Sequence, residues 1–217
     1  MKERYIMTSK NKIIFLDFDG VVNNISESGL NITLPLYSSK RNKESGLTKW
    51  STDNIPHFIR LLELCKENEW KIVISSTWRL FTDRAEDFNN YFKKYFKATY
   101  NIKLKDYEVV IGVTPRLNGV RGKEILKYIE ENKVEDYIVI DDDIFDIVDY
   151  IKDEKIVHID IKTGLTAEDI KNIEKNKERE YTIKVYSNLF ILLLLINLFH
   201  YVSFVFLYHI CQIQMVS

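Results

Sequence analysis

Unbroken apolar runs of three or four residues recur along the chain, and longer stretches with apolar residues at helical spacing lie between them. Ile13 to Leu16 is the first run and leads straight into Asp17. A run without polar alternation reads as a parallel-sheet strand covered on both faces. Similar runs follow at Ile72-Val73-Ile74, Val109-Val110-Ile111, Tyr137-Ile138-Val139-Ile140 and Ile156-Val157-His158-Ile159. Strands are therefore expected to begin near residues 12, 71, 108, 137 and 156. Ile55, Phe58, Ile59, Leu61, Leu62 and Cys65 form one helical face after a start at Thr52-Asp53. Phe88, Tyr91, Phe92, Tyr95 and Phe96 form another within Asp83 to Phe96, a stripe that reads as core rather than as a base-stacking platform. Ile125, Leu126 and Ile129 mark a helix after Gly122, and a helix over Ala167 to Lys175 closes the pattern. Strands and helices in alternation predict an α/β domain of three layers around a mostly parallel sheet.

Two stretches break the alternation. Asn23 to Lys49 has no sustained period, so residues 24–50 are expected to form a small cap insertion over the end of the first strand; a surface loop is the alternative. Leu189 to Ile210 is almost wholly apolar, and Lys171, Lys175, Lys177, Arg179 and Lys184 crowd its N-terminal side. About 20 apolar residues as a helix cross a bilayer core, and basic residues stay on the cytoplasmic side. The expectation is a folded domain over 1–178 in the cytoplasm and a C-terminal apolar helix over 179–217 that anchors it, with membrane contact through 189–210. A helix packed on the domain, a dimer contact, or an end that belongs to no working protein are the other readings.

Composition narrows the picture further. A chain of 217 residues suits one domain with a full core. Its formal net charge of -1 argues against a protein that blankets nucleic acid, leaving no strong nucleic-acid-binding signal. Cys65 and Cys211 make no disulfide framework, which favours a reducing compartment, and Met1 to Lys12 lacks the apolar centre of a secretory signal.

The chemistry gathers at the ends of the apolar runs. Asp17 and Asp19 stand one residue apart at a strand exit, and Gly20 allows the chain to turn sharply. Carboxylates this close repel unless a cation or a shared proton relieves them, and Mg²⁺ is the simplest hard ion for oxygen ligands. Asp141, Asp142 and Asp143, with Asp146 one turn on, repeat the pattern after another buried run. Ser75, Ser76 and Thr77 leave the second strand, where hydroxyls and backbone N–H groups hold a phosphate oxygen or simply cap a helix. Lys123 sits in the first turn of a helix, where the dipole disfavours a cation unless an anion lies nearby.

Asp17-Phe18-Asp19-Gly20, Ser76, Lys123 and Asp141-Asp142, in that order, resemble the motifs of the haloacid dehalogenase (HAD) superfamily of phosphohydrolases. Ile74 to Arg79, Thr114-Pro115-Arg116, Arg121 to Ile125 and Gly164-Leu165-Thr166 are similar to the HAD domains grouped with Swiss-army-knife RNA-repair proteins. The resemblance covers about Lys12 to Asn176 and implies a Rossmann-like HAD core. It implies that Asp17 is the nucleophile and Asp19 the general acid–base, with Ser76, Thr77 and Lys123 binding phosphate. Mg²⁺ would be held among Asp17, Asp19, Asp141, Asp142 and Asp146; the run of three Asp leaves open which of the last three are ligands. Arg79, Arg116 and Arg121 are candidate substrate-phosphate contacts. The implied activity is hydrolysis of a phosphomonoester, such as a nucleotide or a nucleic-acid end. Two other classes compete with it. One is a catalytically silent HAD-like binding module tethered to a membrane. The other is a receiver-type signalling domain, which lacks the Asp-x-Asp-Gly string.

Overall fold

A computed structural model describes residues 12–22, 54–80, 82–101, 108–175, 186–196 and 198. The apolar runs become β1 (Ile13–Leu16), β2 (Lys71–Ile74), β3 (Val110–Val113), β4 (Tyr137–Asp141) and β5 (Ile156–His158). Between them lie α1 (Ile55–Glu67), α2 (Ala85–Tyr100) and α3 (Arg121–Asn132), and α4 follows over 167–175. The strands form one sheet in the order β3-β2-β1-β4-β5, with every pairing parallel. The expected insertion over 24–50 lies outside the described residues.

The strand order fixes the layers. The chain steps from β1 to β2 to β3 in one direction, then returns past both to β4 and continues outward to β5. Right-handed crossovers place α1 and α2 on one face and α3 on the other. Packing agrees with that assignment. Ile13, Phe15, Val73 and Val139 share a buried cluster with Ile125 of α3 and with Ile147 and Ile151 beyond β4. Phe58 of α1 packs edge-on to Phe92 of α2 with ring centroids 5.3 Å apart, and Phe96 sits 6.0 Å from Phe58. Phe88, Phe92 and Phe96 of the α2 stripe are buried core, as its period predicts, and Tyr91 is half-buried.

β1 and β4 are neighbours whose connections leave toward opposite faces, so a crevice opens at their carboxyl ends. Short local devices hold the segments around it. Asn54 donates through Nδ2 to the carbonyls of Thr163 (2.7 Å) and Leu165 (2.9 Å), and Leu165 N donates to Val21 O at 2.7 Å. That ties the turn after β1 to the segment before α4. Thr166 and Asp169 form a reciprocal cap at the start of α4, with Asp169 Oδ2 accepting from Thr166 N (2.9 Å) and Thr166 Oγ1 (2.6 Å).

The chain divides into two compact units, Met1–Ile170 and Lys171–Ser217. In the second, residues 186–196 form a helix, α5, whose apolar side chains from Leu189 to Ile196 are exposed. The sequence predicts a membrane span over 189–210. Among the described residues no helix is long and apolar enough to cross a membrane, and 199–210 lie outside them. The anchor therefore has no support among the described residues, and the membrane contact expected through 189–210 is not tested by them.

Among the described residues, the pair of Arg79 and Glu124 lies fully inside the first unit. Arg79 and Glu124, at 5% and 1% exposure, pair through Nη2 and Oε2. Arg79 Nη1 also donates to the carbonyls of Ser75 and Ser76, while Glu124 Oε1 accepts from Leu117 N at 2.7 Å. The pair thus clasps the β2 exit to the loop before α3. Removing one partner leaves the other buried and unpaired, so Glu124→Ala is expected to destabilise the fold by about 3–5 kcal/mol. Urea unfolding followed by circular dichroism measures it, and a loss below about 1 kcal/mol, the scale of a surface pair, contradicts a buried clasp.

Candidate active site

Sheet register puts the polar residues that end each apolar run in one row. Leu16 pairs with Ile74 on one side and Ile140 on the other, and Ile74 pairs with Val113. The residues that follow are Asp17, Ser75, Asp141 and Thr114. Backbone bonds continue the ladder across that row: Asp17 N to Ile140 O, Ser75 N to Leu16 O and Thr114 N to Ile74 O, each 3.0 Å. Asp141 pairs with His158 at the far end. All four leading residues are buried, and Asp17 Oδ1, Ser75 Oγ and Thr114 Oγ1 have no hydrogen-bond partner. Buried polar atoms normally have partners, so orphans collected along one row mark a place where a ligand is accommodated.

Arg121 supplies the positive charge. Its Nη1 donates to both oxygens of Asp141 (2.7 and 2.6 Å) and to Asp17 Oδ2 at 3.2 Å. Burial pulls the guanidinium's pKa down, but Asp17, Asp141 and Asp146 outweigh it and hold it above the ordinary value. One guanidinium cannot balance the site. Asp17, Asp141 and Asp142 each bring a carboxylate oxygen within 4.8 Å of the others. Burial, and then the charge of Asp17, push Asp142 up to about 6 and raise Asp141 as well, even with Arg121 beside it. When all three are ionised, two negative charges remain in excess. A hard divalent ion carries that charge and takes oxygen ligands, so the donor set fits Mg²⁺, with Asp17 Oδ1 the free buried donor.

Gly20 is required for this approach. It has a φ of +83°, and a Cβ there would collide with the Asp142 carboxylate. Gly122 does the same for α3: a Cβ would run into the Asp146 carbonyl, so its absence lets the helix start press against the loop after β4.

The sequence-predicted residues divide into groups. Asp17, Asp141 and Asp142 meet, and Arg121 joins them. Asp19 stands at the rim, where Oδ2 accepts from Trp78 Nε1 at 2.9 Å. Asp146 accepts from the backbone N of Arg121 at 2.7 Å and is outside the three-carboxylate group. Ser76 is buried, with its Oγ 3.4 Å from Trp78 N, and the exposed Thr77 begins a 3₁₀ turn, Thr77–Leu80. Lys123 is exposed and lies over the Tyr150 ring, 5.6 Å from its centroid. Arg79 is committed to Glu124, and Arg116 donates to the Arg79 carbonyl at 2.9 Å. Three roles escape the sequence: Ser75 as the hydroxyl in the row, Arg121 as the cation among the carboxylates, and Trp78 as the partner of Asp19. A signal for Ser75 does exist, because it follows the last apolar residue of its strand as Asp17 and Asp141 follow theirs.

A family model described as the HAD domain in Swiss Army Knife RNA repair proteins matches residues 13–170. Among solved structures, the crystal structure of the Legionella pneumophila effector Ceg4, carrying an N-terminal yeast Hog1p sequence, is similar at 15% identity. It covers 79% of this chain and 98% of its own, with a TM-score of 0.42. No curated protein matches the chain.

The raised Asp142 carboxyl has a defined linkage sign. A carboxyl whose folded pKa lies above its unfolded value favours the fold while protonated, and that contribution is lost as pH rises through the folded value, here about 6. Metal-free wild type is therefore expected to lose stability between pH 4 and 6 relative to Asp142→Asn, in melting curves recorded in EDTA across that window. Added Mg²⁺ should raise the wild-type melting temperature more at about pH 7.5 than at about pH 5, because protons and the ion compete for the same oxygens. A metal response independent of pH contradicts the assignment.

Proposed function

The chain belongs to the HAD domain family of Swiss Army Knife RNA repair proteins, and from that premise we propose that it hydrolyses phosphomonoesters through an aspartyl-phosphate on Asp17. The observation that carries the reading is the Asp17 carboxylate: buried, held through Oδ2 by Arg121, and with Oδ1 left without a partner at the head of the crevice.

The chemistry follows from what each side chain can do. Asp17 attacks phosphorus, its oxygen forming a bond as the bond from phosphorus to the leaving oxygen breaks. Asp19, at the rim and further along the same strand exit, gives a proton to the leaving oxygen. It then takes a proton from water, which attacks the aspartyl-phosphate and releases inorganic phosphate with Asp17 restored. Arg121 keeps Asp17 oriented and offsets part of the charge that gathers on the phosphoryl oxygens. Ser75, with a free buried hydroxyl, donates to one of those oxygens, and the expected phosphate contacts Ser76, Thr77 and Lys123 remain candidates for the others. Mg²⁺ held by Asp17, Asp141 and Asp142 would supply electrophilic stabilisation of the transferring group.

The family's link to RNA repair makes a terminal phosphate on a nucleic acid the first substrate class to assay, ahead of free nucleotides and sugar phosphates. Phosphate release from p-nitrophenyl phosphate and from 3′- and 5′-phosphorylated oligoribonucleotides, with Mg²⁺, is the test. Asp17→Asn is expected to abolish release, and Asp19→Asn to reduce it by about 10²–10⁴-fold. Excess EDTA should stop the wild type. Full activity in Asp17→Asn, or in EDTA, contradicts the mechanism.

A further inference from the structure

Asp19 has to hold its carboxyl toward the leaving oxygen in one step and toward water in the next. It stands at the rim of the crevice, less buried than Asp17, so something other than close packing must fix its direction. Trp78 lies 59 residues away in sequence and points its indole Nε1–H at Asp19 Oδ2, 2.9 Å off. The ring itself is 1% exposed and lies against Phe18, the residue between the two acidic positions, with centroids 4.6 Å apart and a tilt of 37°. Phe18 is fully buried and packs in turn on Phe88 and Phe92, at 6.1 and 5.7 Å. The indole can neither turn away nor exchange its donor for water without disturbing that aromatic cluster. A tryptophan N–H donates and cannot accept, so it directs the carboxylate without competing for the proton that Asp19 carries.

We propose that Trp78 is a positioning residue for the proton transfers of Asp19: the Phe18 stack fixes the indole, and its N–H fixes the carboxylate. The role rests on the phosphohydrolase reading above. It concerns geometry alone and touches neither the substrate nor the three-carboxylate group.

Leaving-group dependence separates positioning from packing. A nitrophenolate departs without a proton, whereas an alkoxide needs one delivered during cleavage. Two variants of the full chain serve. Trp78→Phe keeps an aromatic ring without a donor, and replacement of Trp78 by 3-benzothienylalanine keeps shape and volume while sulfur takes the place of N–H. With each, kcat/KM is measured for p-nitrophenyl phosphate and for an alkyl phosphate such as β-glycerophosphate. The expected result is a fall of about 10- to 100-fold for the alkyl ester and of less than about threefold for the nitrophenyl ester, since a misaimed acid costs rate only where a proton is required. An equal fall on both esters, or a benzothienyl variant that matches the wild type on both, overturns the positioning role and leaves the hydrolase reading standing. A wild type that hydrolyses neither ester nor any phosphorylated oligonucleotide overturns both.

Discussion

Three carboxylates within 4.8 Å of one another at the buried ends of β1 and β4 share one guanidinium, and the rest of the molecule is arranged around that imbalance. Like charges in a poorly hydrated crevice repel strongly, and they persist only where geometry enforces them and counter-charge offsets them. The fold enforces the geometry through backbone register: Asp17 and Asp141 follow paired residues of adjacent strands, and Gly20 leaves room for Asp142 to come in from the side. Arg121 offsets part of the charge, and it reaches the carboxylates because Asp146 and Gly122 fix the start of α3 against the loop after β4. The charge that remains is what a hard divalent cation supplies.

The basic residues around this crevice serve different ends, and their burial tells them apart. Arg121 faces the carboxylates. Arg79 pairs with Glu124 and donates to the carbonyls of Ser75 and Ser76, so it shapes the β2 exit. Burial pulls its pKa down and the neighbouring Glu124 opposes that pull. Lys123 covers Tyr150 with its charged end at the surface. A single aromatic cluster links the two carboxylates of the first motif to the core. Phe18 turns inward between Asp17 and Asp19, and Trp78 closes over it with its polar edge left for Asp19.

Much of this is legible in the residues. The apolar runs mark all five strands among the described residues, because strands covered on both faces show no alternation, and the boundaries move by two residues at most: β3 starts at Val110 against an expected 108. The acidic strand ends announce the site, since Asp beyond a buried strand needs a reason. The partnerships are not legible. Lys123 and Arg121 share the first turn of α3, and sequence alone cannot say which of two cations two residues apart faces inward; the choice depends on how the helix rotates against β4. Ser75 and Ser76 pose the same problem, and only register counted across β1 and β2 shows that Ser75 is the one level with Asp17. The Arg79–Glu124 and Trp78–Asp19 pairs join residues 45 and 59 positions apart, and no local pattern carries such contacts.

The central claim is that Asp17 takes the phosphoryl group. The most direct measurement is to mix the Mg²⁺-loaded protein with a ³²P-labelled phosphomonoester, quench in acid within milliseconds, and map the labelled peptide. The account predicts acid-stable, hydroxylamine-labile label on the peptide containing Asp17, increased in Asp19→Asn because release is slowed. Label on a different residue, or turnover with no labelled protein in either the wild type or Asp19→Asn, contradicts it.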